Sequence, residues 1–310
     1  MKREWRNRRH AVTLLVLIAI ASTRSSPQDE TLHVEVDLID LYVAVADQRG
    51  VPIIGLGKEN FRISEDGVEQ QVRHFSNDDV PFTLGMVLDR SGSMSMVIDD
   101  VYKAALHTLE ASRPEDESFV IVFNDKIDLV QDFTSDRKAL QHALRKVAAG
   151  GQTALYDAVY TAINHIRKGK YRKKALLVVT DGADNSSETS YRELLQVAKE
   201  SEVQIHVIGF FGDAMRFGSA FQDSPAVDKL SQLATVTGGR AYFPKTMEAC
   251  RQACVDTANE LRSQYTLGYY STNEKKDGTW RKVRVDVVGL PPDRGGVVVQ
   301  TRDGYYAPVH

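Results

Sequence analysis

Along the middle of the chain run four almost unbroken apolar segments, 83–88 (TLGMVL), 118–123 (SFVIVF), 175–179 (ALLVV) and 204–210 (QIHVIGF). A strand that is apolar on both faces must be covered on both faces, as in a parallel sheet wrapped in helices. The intervals supply the helices: apolar residues recur with helical periodicity over 97–112, 137–148, 154–167, 191–200, 227–236 and 247–263. Strands that alternate with helical segments of this length are joined by right-handed crossovers. The expected fold class is therefore α/β, a doubly wound and mostly parallel sheet.

On either side the period changes to two. Residues 34–45 alternate around Val34, Val36, Leu38, Leu41, Val43 and Val45. Phe61-Arg62-Ile63 and the segment 68–72 read as a hairpin joined at Asp66-Gly67, two residues that tolerate positive φ. Segments 265–270, 281–288 and 297–301 are β-patterned again, with turns at Asp277-Gly278 and Pro291-Pro292. Neither flank holds enough strands to bury a sandwich core alone. The economical arrangement is one small β-sandwich-like domain assembled from both flanks, with the α/β domain inserted between them. The expected boundaries are a signal peptide at 1–21, a linker at 22–31, a first β flank at 32–80, the α/β domain at 81–263 and a second β flank at 264–310.

The signal peptide rests on Lys2, Arg3, Arg6, Arg8 and Arg9, followed by an apolar run over 11–21 that ends in Ala19-Ile20-Ala21, a small-x-small cleavage pattern. That run is shorter than the ~20 residues a spanning helix needs. The sequence thus predicts an exported protein, periplasmic or extracellular, with no membrane span after signal removal; Arg8-Arg9 leaves twin-arginine export open beside the general route. Composition agrees with a soluble folded chain: 42% of the 310 residues are hydrophobic and 26% charged. A net charge of −3 gives no electrostatic reason to expect nucleic acid. Cys250 and Cys254 stand four apart on one helix, a spacing poor for a bridge, and read as two buried thiols. His107, His142, His165 and His206 lack metal-pair spacing, and the aromatics Tyr265, Tyr269, Tyr270, Trp280, Tyr305 and Tyr306 read as core or cross-strand residues.

Chemistry concentrates where strands end. Segment 83–88 runs into Asp89-Arg90-Ser91-Gly92-Ser93, directly before a helix. In a doubly wound sheet, ligands bind beyond the carboxyl ends of the strands, where the strand order reverses. Asp89, Ser91 and Ser93 alternate, so a turn can aim one carboxylate and two hydroxyls at a common point. Thr153 follows Gly150-Gly151 in a loop before a helix, and Asp181 follows strand 175–179 and Thr180. An all-oxygen set of this kind suits one hard divalent cation, Mg²⁺ or else Ca²⁺ or Mn²⁺. Singly, each fragment also reads as a helix cap or a turn, whether Ser93, Ser95 or Thr153 as N-cap or Asp181 before Gly182. The polar run Asp184, Asn185, Ser186 and Ser187 reads as part of the rim of the same face.

Taken together, Asp-x-Ser-x-Ser, Gly-Gly-x-Thr and Thr-Asp-Gly resemble the metal-ion-dependent adhesion site of the von Willebrand factor type A domain, over roughly 82–263. The flanking segments 61–67 (FRISEDG) and 265–270 (YTLGYY) are similar to parts of bacterial exported proteins, abundant in acidobacteria, that carry a related domain. The resemblance implies that Ser91, Ser93 and Thr153 bind the metal directly, with Asp89 and Asp181 acting directly or through water. Neutral hydroxyl ligands leave a divalent cation net positive, so an Asp or Glu of a protein partner suits its remaining position. The implied function is a non-enzymatic binding module for adhesion or assembly. A structural envelope-assembly component stiffened by the metal is the alternative, and a metal-assisted hydrolase a third reading. Against the hydrolase, the sequence carries no Gly-x-Ser-x-Gly elbow and no P-loop. The sequence assigns no oligomeric state.

Overall fold

A computed structural model describes residues 38–110, 112–145, 147–181, 184–210, 224–291 and 296–309. The expected signal peptide, the linker and the first residues of the first flank lie outside the described residues, as do Gly182 and Pro292.

The first flank contributes β1 (Leu38–Asp47), β2 (Phe61–Glu65), β3 (Val68–Gln70) and β4 (His74–Ser76). The α/β unit opens with β5 (Thr83–Asp89), a 3-10 turn at Gly92–Met96, α1 (Ile98–Glu110), β6 (Glu117–Phe123) and β7 (Ile127–Thr134). It continues through α2 (Arg137–Leu144), α3 (Leu155–Ile166), β8 (Lys174–Thr180), α4 (Tyr191–Glu200), β9 (Gln204–Gly209), α5 (Pro225–Val236), β10 (Ala241–Tyr242) and α6 (Met247–Ser263). The second flank adds β11 (Tyr265–Tyr270), β12 (Trp280–Val287), β13 (Val297–Gln300) and β14 (Gly304–Tyr306).

The central sheet has the order β10-β9-β8-β5-β6-β7. Strand β5 runs parallel to both β6 and β8, and every one of its residues is buried. Its alternation divides two cores: Leu84, Met86 and Leu88 face α1, α2 and α6, whereas Val87 faces the α3, α4 and α5 side. The chain leaves β5 for β6 on one side and returns to β8 on the other. The reversal of strand order therefore lies at the carboxyl end of β5, where such sheets bind ligands. This is the expected doubly wound sheet.

Local chemistry sets the helix starts. Asp136 caps α2 by accepting from the N–H of Lys138 at 2.8 Å, and Ser190 and Glu193 form a reciprocal box at the start of α4. Ser224 caps α5, with Pro225 at its first position.

Some elements differ from the sequence reading. β7, antiparallel to β6, was not expected: it is an edge strand without a fully buried residue, and its register against β6 shifts twice. Strands β4, β10 and β14 have only two or three residues, too few to establish a period. The 3-10 turn after Ser91 delays α1 to Ile98, and α2 stops at Leu144 rather than at 148.

The flanks build two four-stranded sheets, β13-β1-β11-β4 and β14-β12-β2-β3. Each mixes strands from both ends of the chain: β1 pairs with β11 from Leu38↔Tyr270 to Val43↔Tyr265, and β12 pairs with β2 from Val283↔Glu65 to Val287↔Phe61. They share a core that includes Leu41, Val43, Phe61, Ile63, Tyr265, Leu267, Tyr269, Val283 and Val285. Cys250 and Cys254 are buried and unbridged on α6. Among the described residues no helix is long and apolar enough to cross a membrane.

Candidate metal centre

Asp89, the last residue of β5, is fully buried, and its two carboxyl oxygens are engaged separately. Oδ1 accepts from the backbone N–H of Ser91 at 2.7 Å, and Oδ2 accepts from Thr180 Oγ1 at 2.7 Å. The first contact bends the chain into the 3-10 turn; the second ties the end of β5 to the end of β8. From there the oxygens step outward. Ser91 Oγ lies 3.1 Å from Ser93 Oγ, and Ser93 Oγ donates to Asp181 Oδ1 at 3.0 Å. Four of the five expected ligands, Asp89, Ser91, Ser93 and Asp181, thus form one hydrogen-bonded array running from the buried strand end to the surface.

Thr153 joins by a different route. Its side chain makes no hydrogen bond to the other four among the described residues, and its loop is held through bonds made to its backbone groups. The N–H of Gly92 donates to Gly151 O at 3.0 Å and that of Gly150 to Arg90 O at 2.8 Å. Asn124 Nδ2, just beyond β6, donates to Gly150 O at 2.6 Å. Gly151 has φ +82°, a left-handed conformation that favours glycine and lets the loop lie against the end of β6. On its other side Thr153 donates its N–H to Asn185 Oδ1 at 2.8 Å.

Electrostatics mark the same place. Burial raises the Asp89 carboxyl above its ordinary value, opposed by the hydrogen bonds from Thr180 and Ser91. Asp181 is pushed up to about 6, chiefly by burial and also by the neighbouring charge of Asp89, against the lowering effect of the Ser93 hydroxyl. Two carboxyl groups strained toward protonation in this way are a set that a cation relieves.

The spacing suits a small cation too. With metal–oxygen distances of about 2.1 Å, adjacent corners of an octahedron stand about 3 Å apart. The separations of 3.1 Å and 3.0 Å along Ser91, Ser93 and Asp181 match such edges. No group of three or more His, Cys, Asp or Glu able to hold a metal occurs among the described residues, so any cation here relies on hydroxyls as well as acids. The donor set fits Mg²⁺ chemistry, with Asp89, Ser91, Ser93, Thr153 and Asp181 as the residues that would hold it; the ion would supply a Lewis-acidic point for an anionic oxygen.

Sequence reasoning passed over the supporting residues. The sequence places Thr180 in the Thr-Asp-Gly motif without giving it a bond to Asp89, and does not single out Asn124, although a polar residue directly after a buried strand beside the switch point is a usable signal. Asn185 was placed on the rim but given no task.

Comparison with known proteins gives the relationship. The family model for the von Willebrand factor type A domain matches residues 84–183. An uncharacterized protein of Borreliella burgdorferi is 25% identical over 224 residues, covering 65% of this chain and 60% of that protein. The chain thus spans somewhat over half the length of this curated relative. Among solved structures, a von Willebrand factor type A protein from Catenulispora acidiphila superposes with a TM-score of 0.51 at 12% identity, covering 88% of this chain and 74% of that one. Proximal thread matrix protein 1 of the mussel byssus gives 0.51 at 16% identity, covering 64% of this chain and 51% of that chain. With the family model matched over residues 84–183 and the doubly wound sheet, the α/β unit of this chain has a von Willebrand factor type A-like fold.

Proposed function

We propose that this protein is an exported, non-enzymatic binding module that holds one divalent cation, Mg²⁺ by donor chemistry, at Asp89, Ser91, Ser93, Thr153 and Asp181, and recognises a partner protein through an Asp or Glu carboxylate. The observation that carries the reading is the oxygen array, which begins at the buried Asp89 carboxyl, reaches the surface at exposed Ser93 and closes on Asp181. An array that opens to solvent leaves room for an outside oxygen, and a hard cation favours an anionic one. Met96, 94% exposed at the end of the same 3-10 turn, offers an apolar contact beside it. The backbone bonds between Gly92 and Gly151 and between Gly150 and Arg90 already tie the loops together. These bonds join the two loops without metal ligation, which supports binding over a purely structural role.

A metal-assisted hydrolase is the second reading, favoured by one contact. Ser93 Oγ donates to Asp181, whose carboxyl sits near 6, so a hydroxyl faces a usable base. Ser93 also lies beside Ser91 at ligand spacing, which suits coordination better than attack. Mg²⁺ titration by calorimetry, followed by partner capture from native envelope with and without EDTA, tests the first reading. Chelator-sensitive capture with little change in melting supports it, a collapse of melting in EDTA points to a structural metal, and turnover on an esterase and phosphatase panel points to the enzyme.

A further inference from the structure

Of the five proposed ligands, Thr153 is set apart because no described side-chain bond fixes its position relative to the others. Its backbone is instead gripped on both sides by one residue. Asn185 Oδ1 accepts the Thr153 N–H at 2.8 Å, and the Asn185 N–H donates back to Thr153 O at 3.0 Å, with the Ser186 N–H adding a second donor at 3.2 Å. Bonds to the N–H and the C=O of one residue fix the peptide planes before and after it, and hence the direction in which its side chain leaves the backbone.

Asn185 is itself held. Asp184 Oδ1 accepts the Tyr156 N–H at 3.1 Å, while Asp157 accepts the N–H groups of Glu188 and Thr189 at 2.9 and 2.8 Å. The Asp157 N–H in turn donates to Ser187 Oγ at 3.1 Å. Residues 184–189 are therefore clasped to the first turn of α3, the helix that Thr153 precedes by two residues. Asn185 also stands only four residues beyond Asp181. The segment that follows one proposed ligand thus grips another.

We infer that Asn185 is a positioning residue of the metal centre, setting Thr153 against Asp181 without touching the ion. The inference rests on the proposed metal site. Partners that orient ligands in this way typically affect metal affinity by about 10–100-fold. Asn185 is exposed, so its loss removes little buried surface and is expected to leave the fold nearly intact.

The test is calorimetric titration with Mg²⁺ alone of the full chain and of Asp89→Ala, Asn185→Ala and Asn185→Asp, together with melting and Thr153 amide exchange in EDTA. Asn185→Ala is expected to bind Mg²⁺ about 10–100-fold more weakly, to melt in EDTA within a few degrees of the wild type, and to exchange the Thr153 amide faster. Asn185→Asp keeps the acceptor and is expected to restore most of the affinity and the slow exchange. Wild-type affinity in Asn185→Ala, with affinity lost in Asp89→Ala, overturns the inference and leaves the metal site standing. Loss of affinity in Asn185→Ala with a large fall in EDTA melting, and no recovery in Asn185→Asp, also overturns it, because the residue then serves the fold. A wild-type protein that does not bind Mg²⁺ removes both readings.

Discussion

Glu65 in the β-sandwich and Asp89 in the α/β unit are both buried acids, 2% and 0% exposed, yet their surroundings differ in kind. Glu65 takes three hydroxyls onto one carboxyl group: Tyr269 at 2.8 Å, Tyr305 at 2.9 Å and Ser271 at 2.5 Å. All three donors come from the second flank and converge on β2 of the first, so the carboxyl group works as a cross-flank staple. Asp89 accepts from the Thr180 hydroxyl and the Ser91 N–H among others, and the array continues through Ser91 and Ser93 to half-buried Asp181. A polar network that is satisfied within itself helps specify the fold; the one that leads to the surface with two acids in it is where the proposed cation would sit.

The largest expected effect breaks the closed network. Glu65→Ala removes a buried side chain and strands the buried Tyr269 hydroxyl, and is expected to lower stability by about 3–4 kcal/mol. Urea unfolding measures this, with Mg²⁺ affinity unchanged in the folded fraction. A loss below about 1 kcal/mol would show that the staple is dispensable and that the contrast with Asp89 is false.

Asp89→Ala is the converse. It deletes both an oxygen and a negative charge from the proposed centre, and Mg²⁺ affinity is expected to fall at least 100-fold, about 2.7 kcal/mol. Melting in EDTA is expected to change far less than in Glu65→Ala, because an acid already disfavoured by burial is being removed. Equal destabilisation of the two variants without metal would make Asp89 a second staple.

The same contrast explains what could be read from the chain. Strands β5 and β8 were legible because helices cover both their faces, which writes an unbroken apolar run into the sequence. β7 was not, because it is an antiparallel edge with Leu129 45% exposed, and its polar residues meet water at no penalty. The donors Asp89, Ser91, Ser93, Thr153 and Asp181 were picked out because each sits at a strand end or just after a glycine pair. Thr180, Asn124 and Asn185 escaped because they bond to a partner that only the folded loops bring near: a carboxyl from another strand, the Gly150 carbonyl, the Thr153 backbone. Glu65 escaped for the same reason, its partners being more than 200 residues away in sequence.

A third buried acid lies between the two cases. Glu260 on α6 pairs with Arg240 at 3.1 Å beside the fully buried His206. Burial pushes Glu260 up to about 6 in spite of Arg240, and burial together with the Arg240 and Lys173 charges brings His206 down to about 3. For Glu260 the folded state holds more protons between its unfolded value of 4.5 and 6, so its contribution is lost as pH rises through that window. For His206 the unfolded state holds more protons between 6.5 and 3, so its contribution is lost as pH falls. The two slopes oppose each other between pH 4.5 and 6. The expected result is a nearly flat contribution in the wild type and, in His206→Asn, a fall in stability of at most about 1 kcal/mol per pH unit as pH rises through that window. Denaturant melts across pH 4–7 measure it; the same slope in both proteins would mean that His206 does not titrate against Glu260.

The finest comparison removes one hydroxyl from each network. Tyr269→Phe leaves Glu65 with Tyr305 and Ser271, and is expected to lower stability by about 1 kcal/mol with Mg²⁺ affinity untouched. Thr180→Val keeps the shape of a fully buried side chain and deletes the donor to Asp89 Oδ2, a change of similar size in stability, about 1 kcal/mol. Its second consequence differs. With the Thr180 donor gone, Asp89 loses its hydroxyl tie to the end of β8, so the carboxyl is less firmly oriented and the proposed ligand set loses a fixed corner. Mg²⁺ affinity is then expected to fall by about tenfold, as for other residues that orient a ligand. Paired urea unfolding and Mg²⁺ calorimetry on the two variants decide the matter. If Thr180→Val lowers stability alone, as Tyr269→Phe does, then Asp89 belongs with Glu65 among the closed networks, and the surface-leading array is a helix-capping device rather than a metal centre.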